Sequence, residues 1–148
     1  MSNGLTKLPS VSEEELAPLF RTLADCFAGQ TEVVAVYLYG SVLRVGIERA
    51  GDVDVGVLYQ RERVPDGLRV LREQEELSDL LHKQVDLVVL NTASPILRMQ
   101  VLRKGRCVLE KDHRLNVQFV VRTLQEYFDL KMVRRVIEEK LGEAPVLG

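Results

Sequence analysis

Apolar residues along this chain fall into two spacings, and their alternation divides it into helices and strands. Leu16, Leu19, Phe20, Leu23 and Phe27 recur at intervals of three and four, which predicts a helix over about 13–28. Ser12 and Glu15 form a capping-box pair at its start. "EVVAVYLYG" is β-branched and aromatic and ends on glycine, predicting a strand over 33–39. "DVDVGVLY" alternates and predicts a second strand over 53–59. "RERVPDG" reads as a turn, and Gly67–Leu81 as a helix with Leu68, Leu71, Leu77, Leu80 and Leu81 facing inward. "QVDLVVLN" predicts a third strand over 84–90. Ser94 followed by Pro95 opens a further helix that stops at Gly105, and "RCVLE" is a short fourth strand. From Asp112 a long helix (112–141) carries Val117, Val120, Val121, Leu124, Phe128 and Leu130. Tyr127, Phe128 and Leu130 are expected to pack it onto the body, with an exposed apolar edge for a partner as the alternative. Residues 1–11 and 143–148 are expected to be flexible.

The resulting order, α-β-β-α-β-α-β-α, is that of an α/β (α+β) chain. About a dozen residues join the first two strands, too few for a long crossover helix, so these strands should be antiparallel neighbours. The third strand follows a helix and can lie parallel to the second. The expectation is a single domain over 1–148, a small mixed β-sheet with helices packed on it.

The chain has 148 residues, long enough to bury a core without staples. Its net charge of −2 leaves no basic footprint, which argues against direct nucleic-acid binding. The longest apolar run, Val33–Tyr39, is far short of a membrane helix. "MSNGLTKLPS" contains no apolar signal region, so a cytoplasmic location is expected. Cys26 and Cys107 stand apart from each other and from the histidines, and read as free core thiols rather than zinc ligands.

Two acids interrupt the second strand. Alternation puts Asp52 and Asp54 on one face while Val53, Val55 and Val57 enter the core. Like charges ~5–7 Å apart repel by roughly 2–3 kcal/mol at an effective dielectric near 20. A hard divalent cation reverses that sign, because it takes several oxygen ligands. Asp86, early in the third strand, reaches the same patch if the two strands run side by side in similar register. Three carboxylates at one strand end make a bed for two Mg2+ ions, which keep waters and bind substrate phosphates. Gly40 and Ser41 close the strand before. The glycine lets backbone approach a ligand, the serine adds a hydroxyl, and "SVLRV" can start a short helix whose free N–H groups face phosphate. Arg44 lies one turn further and can reach a triphosphate or an acidic partner. Metal on one side and phosphate donors on the other is the layout of phosphoryl or nucleotidyl transfer. A lone D-x-D or G-S is a weak signal. G-S, ten residues, then D-x-D arises by chance on the order of once in a thousand chains of ordinary composition, so the combination carries the weight.

"GS" at 40–41, "DVD" at 52–54 and "VDLVVL" at 85–90 resemble the minimal nucleotidyltransferases of the DNA polymerase β-like superfamily. With "YLYGS", "DVDVGVLY", "QVDLVVLN" and "RTLQEYFDLKMVRRV", the chain is similar to the MntA antitoxins over nearly its whole length. The resemblance implies that Asp52 and Asp54 hold both metals, and that Asp86 ligates one and helps activate the attacking hydroxyl. Gly40, Ser41 and Arg44 would bind the nucleotide. It implies transfer of AMP from ATP to a tyrosine hydroxyl of a cognate HEPN-domain ribonuclease toxin, in a hetero-oligomer with that partner. The sequence departs from the family pattern twice: the glycine after the motif's arginine comes one place late, as Gly46, and Gly51 replaces a serine before Asp52.

Other residues read more plainly. His82 and His113 lie near helix ends as surface groups. Tyr37 and Tyr39 share a strand face, where sheet packing outweighs stacking on a base. Arg134 and Arg135 belong to a solvated face, with an acidic partner surface as the alternative. Two rival functions remain at the level of sequence: transfer of a nucleotide to a small molecule, and neutralisation of a toxin by contact alone.

Overall fold

The computed structural model describes residues 11–142, so the flexibility expected at 1–11 and 143–148 falls, Val11 apart, outside the described residues. The helices are α1 (Glu13–Ala28), α2 (Val42–Val45), α3 (Gly67–Leu81), α4 (Pro95–Lys104) and α5 (His113–Leu141). The strands are β1 (Val33–Tyr39), β2 (Val53–Tyr59), β3 (Val85–Val89) and β4 (Arg106–Glu110), and a 3-10 turn spans Arg61–Arg63. The sheet order is β3-β2-β1-β4. β1 is antiparallel to β2, as their short link requires, and to β4, and β2 is parallel to β3, which the helix between them allows.

Local chemistry places the helix ends where the sequence predicts them. The Ser12 side chain accepts from Glu15 N–H while Glu15 reaches back, a complete capping box. Asp66, Ser94 and Asp112 accept from the third residue beyond each, and Pro95 occupies the first turn of α4.

Each face of the sheet has its own core. Leu19, Leu23 and Phe27 of α1 and Leu77 of α3 pack on Val36, Leu38 and the three valines of β2. On the other side Val101 of α4 and Phe119 of α5 pack on Ala35, Tyr37, Leu58 and Leu90. The second core is smaller, and it leaves one end of its sheet face to Asp54 and Asp86.

Two helices turn otherwise than the leucine pattern predicts. In α3, Leu68, Leu71 and Leu80 are at least half exposed, and Leu77 is the buried leucine. Its inward face carries Gln74 and Ser78, whose oxygens accept from Leu87 N–H at 2.8 Å and Val85 N–H at 3.0 Å. β3 is a sheet edge with unpaired donors, so polar side chains stabilise that face better than leucines would. In α5, Asn116, Phe119 and Thr123 face the body, whereas Val117, Val121 and Phe128 are exposed. Tyr127 and Leu130 are half-buried, so of the expected packing trio Phe128 turns outward. Cys107 is exposed on the edge strand and Cys26 half-buried, which corrects the reading of both as core thiols.

α4 and α5 are joined by Arg98, a buried cation at 7% exposure. Its guanidinium donates to Ala93 C=O, to the Thr123 hydroxyl and to Glu126. Arg98→Ala strands the fully buried Thr123 hydroxyl and opens a cavity. A loss of about 2–4 kcal/mol is expected in urea unfolding, with Thr123→Val adding little on top.

Candidate active site

The two strands that carry the acids are locked at their shared end. Val53 N–H donates to Gln84 C=O at 2.8 Å, and the parallel register sets Asp54 directly beside Asp86. On the other side Asp54 pairs across to Tyr39, so Tyr39, Asp54 and Asp86 form one row over three strands. Asp52, two residues before Asp54, shares its face. One carboxylate oxygen from each of Asp52, Asp54 and Asp86 lies within 4.8 Å of the others. All three side chains are half-buried. The partner bonds from Gln74 and Ser78 clamp the residues on both sides of Asp86. These two positioning groups went unread in the sequence, because leucine spacing masked the polar line between the leucines.

Gly40 has φ +85, in the left-handed region that glycine favours. A methyl group placed there would overlap Asp54 Oδ2 and sit 3.1 Å from its Cγ. Its backbone therefore forms one wall of the acid cluster. Ser41 is the N-cap residue of α2 but makes no side-chain capping bond, and Arg44 is exposed. The loop returns to the sheet because Val42 and Ala50 are buried in the larger core. Gly46, the late glycine, closes α2 with φ +84 and an N–H bond to Val42 C=O. Placed one residue later, it lets a four-residue helix form before the turn. The structure thus brings Gly40, Ser41, Asp52, Asp54 and Asp86 to one end of the sheet, with Arg44 on the adjoining helix.

The cluster's electrostatics are those of crowded acids. Burial, followed by the Asp52 and Asp86 charges, raises the Asp54 carboxyl above its ordinary value. Burial, followed by a hydrogen bond and charge from Asp52, raises Asp86. Burial and these acids push the Tyr39 phenol up to about 12, so it stays protonated at neutral pH. A carboxyl raised on folding stabilises the fold below its unfolded pKa, and that contribution is lost as pH rises through the folded value. In metal-free protein near neutral pH, Asp86→Asn is therefore expected to raise the melting temperature by a few degrees, an effect on the order of 1 kcal/mol. The gain should shrink as the pH is lowered through the acid range. Mg2+ should raise the wild-type melting point by more than it raises the variant's, because the variant keeps only Asp52 and Asp54 as carboxylate ligands, and scanning calorimetry reads the difference directly. Three hard oxygen donors in this compass suit Mg2+, whereas no thiol or imidazole joins them among the described residues.

His82 caps α3 in the left-handed conformation and His113 bonds Glu110 at 2.9 Å, both exposed and outside the cluster. Tyr37 is buried and donates to Asn116 Oδ1 at 2.8 Å, a packing role. No helix among the described residues is long and apolar enough to cross a membrane.

The model of the family "Polymerase beta, Nucleotidyltransferase" matches residues 21–114, a span that contains every residue of the cluster. The protein adenylyltransferase MntA of Shewanella oneidensis is 31% identical over 104 residues, which cover 69% of this chain and 71% of that protein. A crystal structure of a toxin-antitoxin with AMP-PNP is 25% identical, with a TM-score of 0.66 over 90% of this chain and 100% of that one. The same fold, at 23% identity and a TM-score of 0.64, occurs in a tri-AMPylated Shewanella oneidensis HEPN toxin in complex with MNT antitoxin, over 88% and 98% of the two chains. With the family match spanning the whole acid cluster and the MntA relative covering most of its own length, this chain belongs to the polymerase β nucleotidyltransferase family as an MntA-type member.

Proposed function

We propose that this chain is an antitoxin that transfers AMP from ATP to a tyrosine hydroxyl of a HEPN-domain ribonuclease toxin, in a hetero-oligomer with it. The observation that carries the reading is the set of three carboxylate oxygens within 4.8 Å, walled by the Gly40 backbone. It is supported by relatives described as a protein adenylyltransferase and as a toxin-antitoxin with AMP-PNP.

In this reading Asp52, Asp54 and Asp86 would hold Mg2+, Asp52 and Asp54 serving both ions and Asp86 one of them. The bound ions supply positive charge against the triphosphate and the leaving pyrophosphate. Gly40 and Ser41 seat the phosphates through backbone N–H and hydroxyl, and Arg44 adds a cation at the rim. The acceptor oxygen attacks the α-phosphorus. The bond from that phosphorus to the bridging oxygen breaks, and pyrophosphate leaves with the electron pair. The acceptor's proton passes to Asp86, which the strand register sets beside Asp54 at the same end of the sheet.

The test is to incubate the chain with a candidate HEPN-domain toxin partner, ATP and Mg2+, and to weigh and fragment the product. The expected result is a mass gain in whole AMP units located on tyrosine, absent when Mg2+ is chelated. An active partner that gains no mass defeats the reading. Protection of cells by Asp52→Asn as full as by wild type would favour neutralisation by contact instead.

A further inference from the structure

The long helix α5 carries a second apolar line that the fold does not use. Val117, Val121, Leu124, Phe128 and Met132 follow one another at intervals of four, three, four and four. That spacing keeps them on one side of a helix, away from Asn116, Phe119 and Thr123, which face the body. Phe128 and Met132 are each 55% exposed, and Val117, Val121 and Val136 are also exposed. Beside this seam lies a groove of about 730 Å³ between Ile96 of α4 and Tyr127, Lys131 and Arg135 of α5.

Charge in the groove has one sign to spare. Arg134 is paired with Glu138 at 2.9 Å, and Lys131 lies 5.4 Å from the Tyr127 ring centre. Lys131 and Arg135 make no salt bridge among the described residues, so the seam is an apolar line with a cationic edge. Such a line, at a spacing close to that of a coiled-coil seam, fits a helix with acidic residues along its rim.

α5 also stands apart from the catalytic unit in the comparisons. The family match ends at residue 114, in the first turn of α5. The toxin-antitoxin structure, by contrast, overlays 90% of the chain, an extent out of reach without this 29-residue helix. The family match thus stops at the start of the helix, and the toxin-antitoxin likeness extends over it.

We propose that the exposed α5 seam, with the groove at Lys131 and Arg135, is the surface on which an acidic-edged helix of the toxin docks. This inference rests on the toxin partnership read above. The seam carries no member of the acid cluster, so docking and chemistry are separable by mutation.

The experiment titrates the full chain with the HEPN-domain toxin that it modifies in the assay above, or failing modification with a candidate HEPN-domain toxin, by calorimetry, at two salt concentrations. Phe128→Asp should weaken binding about 100-fold or more, and Phe128→Leu less than about tenfold. Arg135→Glu should weaken it about tenfold and flatten its salt dependence, while Arg135→Lys retains both. All four variants should keep the wild-type melting temperature and Mg2+-dependent ATP binding, since each changes an exposed side chain. If wild type binds the toxin and Phe128→Asp and Arg135→Glu bind it equally well, the docking surface is wrong and the partnership stands. If wild type binds ATP but not the toxin, the partnership itself fails and the inference falls with it. A chain that is dimeric alone, is split by Phe128→Asp and still binds toxin unchanged would assign the seam to self-association. Loss of binding to a single-stranded RNA oligonucleotide, with toxin binding intact, would assign the groove to RNA. Either result overturns the proposal.

Discussion

Asp54→Asn is expected to lower AMP transfer at least about 1,000-fold, some 4 kcal/mol of barrier, while leaving the fold intact. Asp54 is the central member of its row, in register with Asp86 on one side and Tyr39 on the other. An amide keeps the shape of the side chain but removes one negative charge and replaces an oxygen donor with an N–H₂ group. Both changes weaken the hold on a divalent cation. The same substitution removes repulsion, because burial and the Asp52 and Asp86 charges raise the Asp54 carboxyl in the native state. Metal-free variant protein should therefore melt no lower than wild type, and near neutral pH slightly higher. Loss of transfer together with a sharp fall in melting temperature would mean that the acids serve the fold rather than the transfer. Radiolabelled AMP transfer and calorimetry on one preparation separate the two.

The second large effect is expected at a residue without a side chain. Gly40→Ala should destabilise the protein by about 2–4 kcal/mol and cut transfer about 100-fold or more. The first number has two sources: a left-handed φ of +85, and a methyl that would overlap Asp54 Oδ2. The second follows because relief of that overlap must move the Asp54 carboxylate, the Gly40 backbone, or both. A displacement near 1 Å at a reacting centre is enough for such a loss. Gly51→Ala is the control, since a methyl at Gly51 meets nothing within 4 Å. It should stay within about 0.5 kcal/mol and retain most activity. Equal behaviour of the two variants in urea melts and transfer assays would contradict the role given to Gly40.

The elements were legible in the sequence because their boundaries are set by short-range chemistry. Ser12 with Glu15, Asp66, Ser94 with Pro95, and Asp112 each satisfy helix N–H groups within a few residues, so the starts can be read from the residues alone. The acid site was legible for a related reason. Alternation along β2 settles that Asp52 and Asp54 share a face, and the short link after Gly40 brings the chain back to the same end of the sheet. The helix faces were less so. Leucine spacing in α3 misled because the inward line passes through Gln74 and Ser78, which serve the unpaired donors of an edge strand. In α5 two apolar lines coexist, and periodicity does not say which one meets the body.

By itself, then, the sequence determined the order of helices and strands, the antiparallel pairing of β1 with β2, and the shared face of Asp52 and Asp54. Each follows from repeat periods, caps and link lengths, which act within some dozen residues. The tertiary structure decided the rest. It set Asp86 beside Asp54, turned Phe128 to solvent, buried Arg98 between α4 and α5, and pressed the Gly40 backbone against a carboxylate. These depend on strand register and on competition between faces for a finite core, quantities shared among residues far apart in the chain.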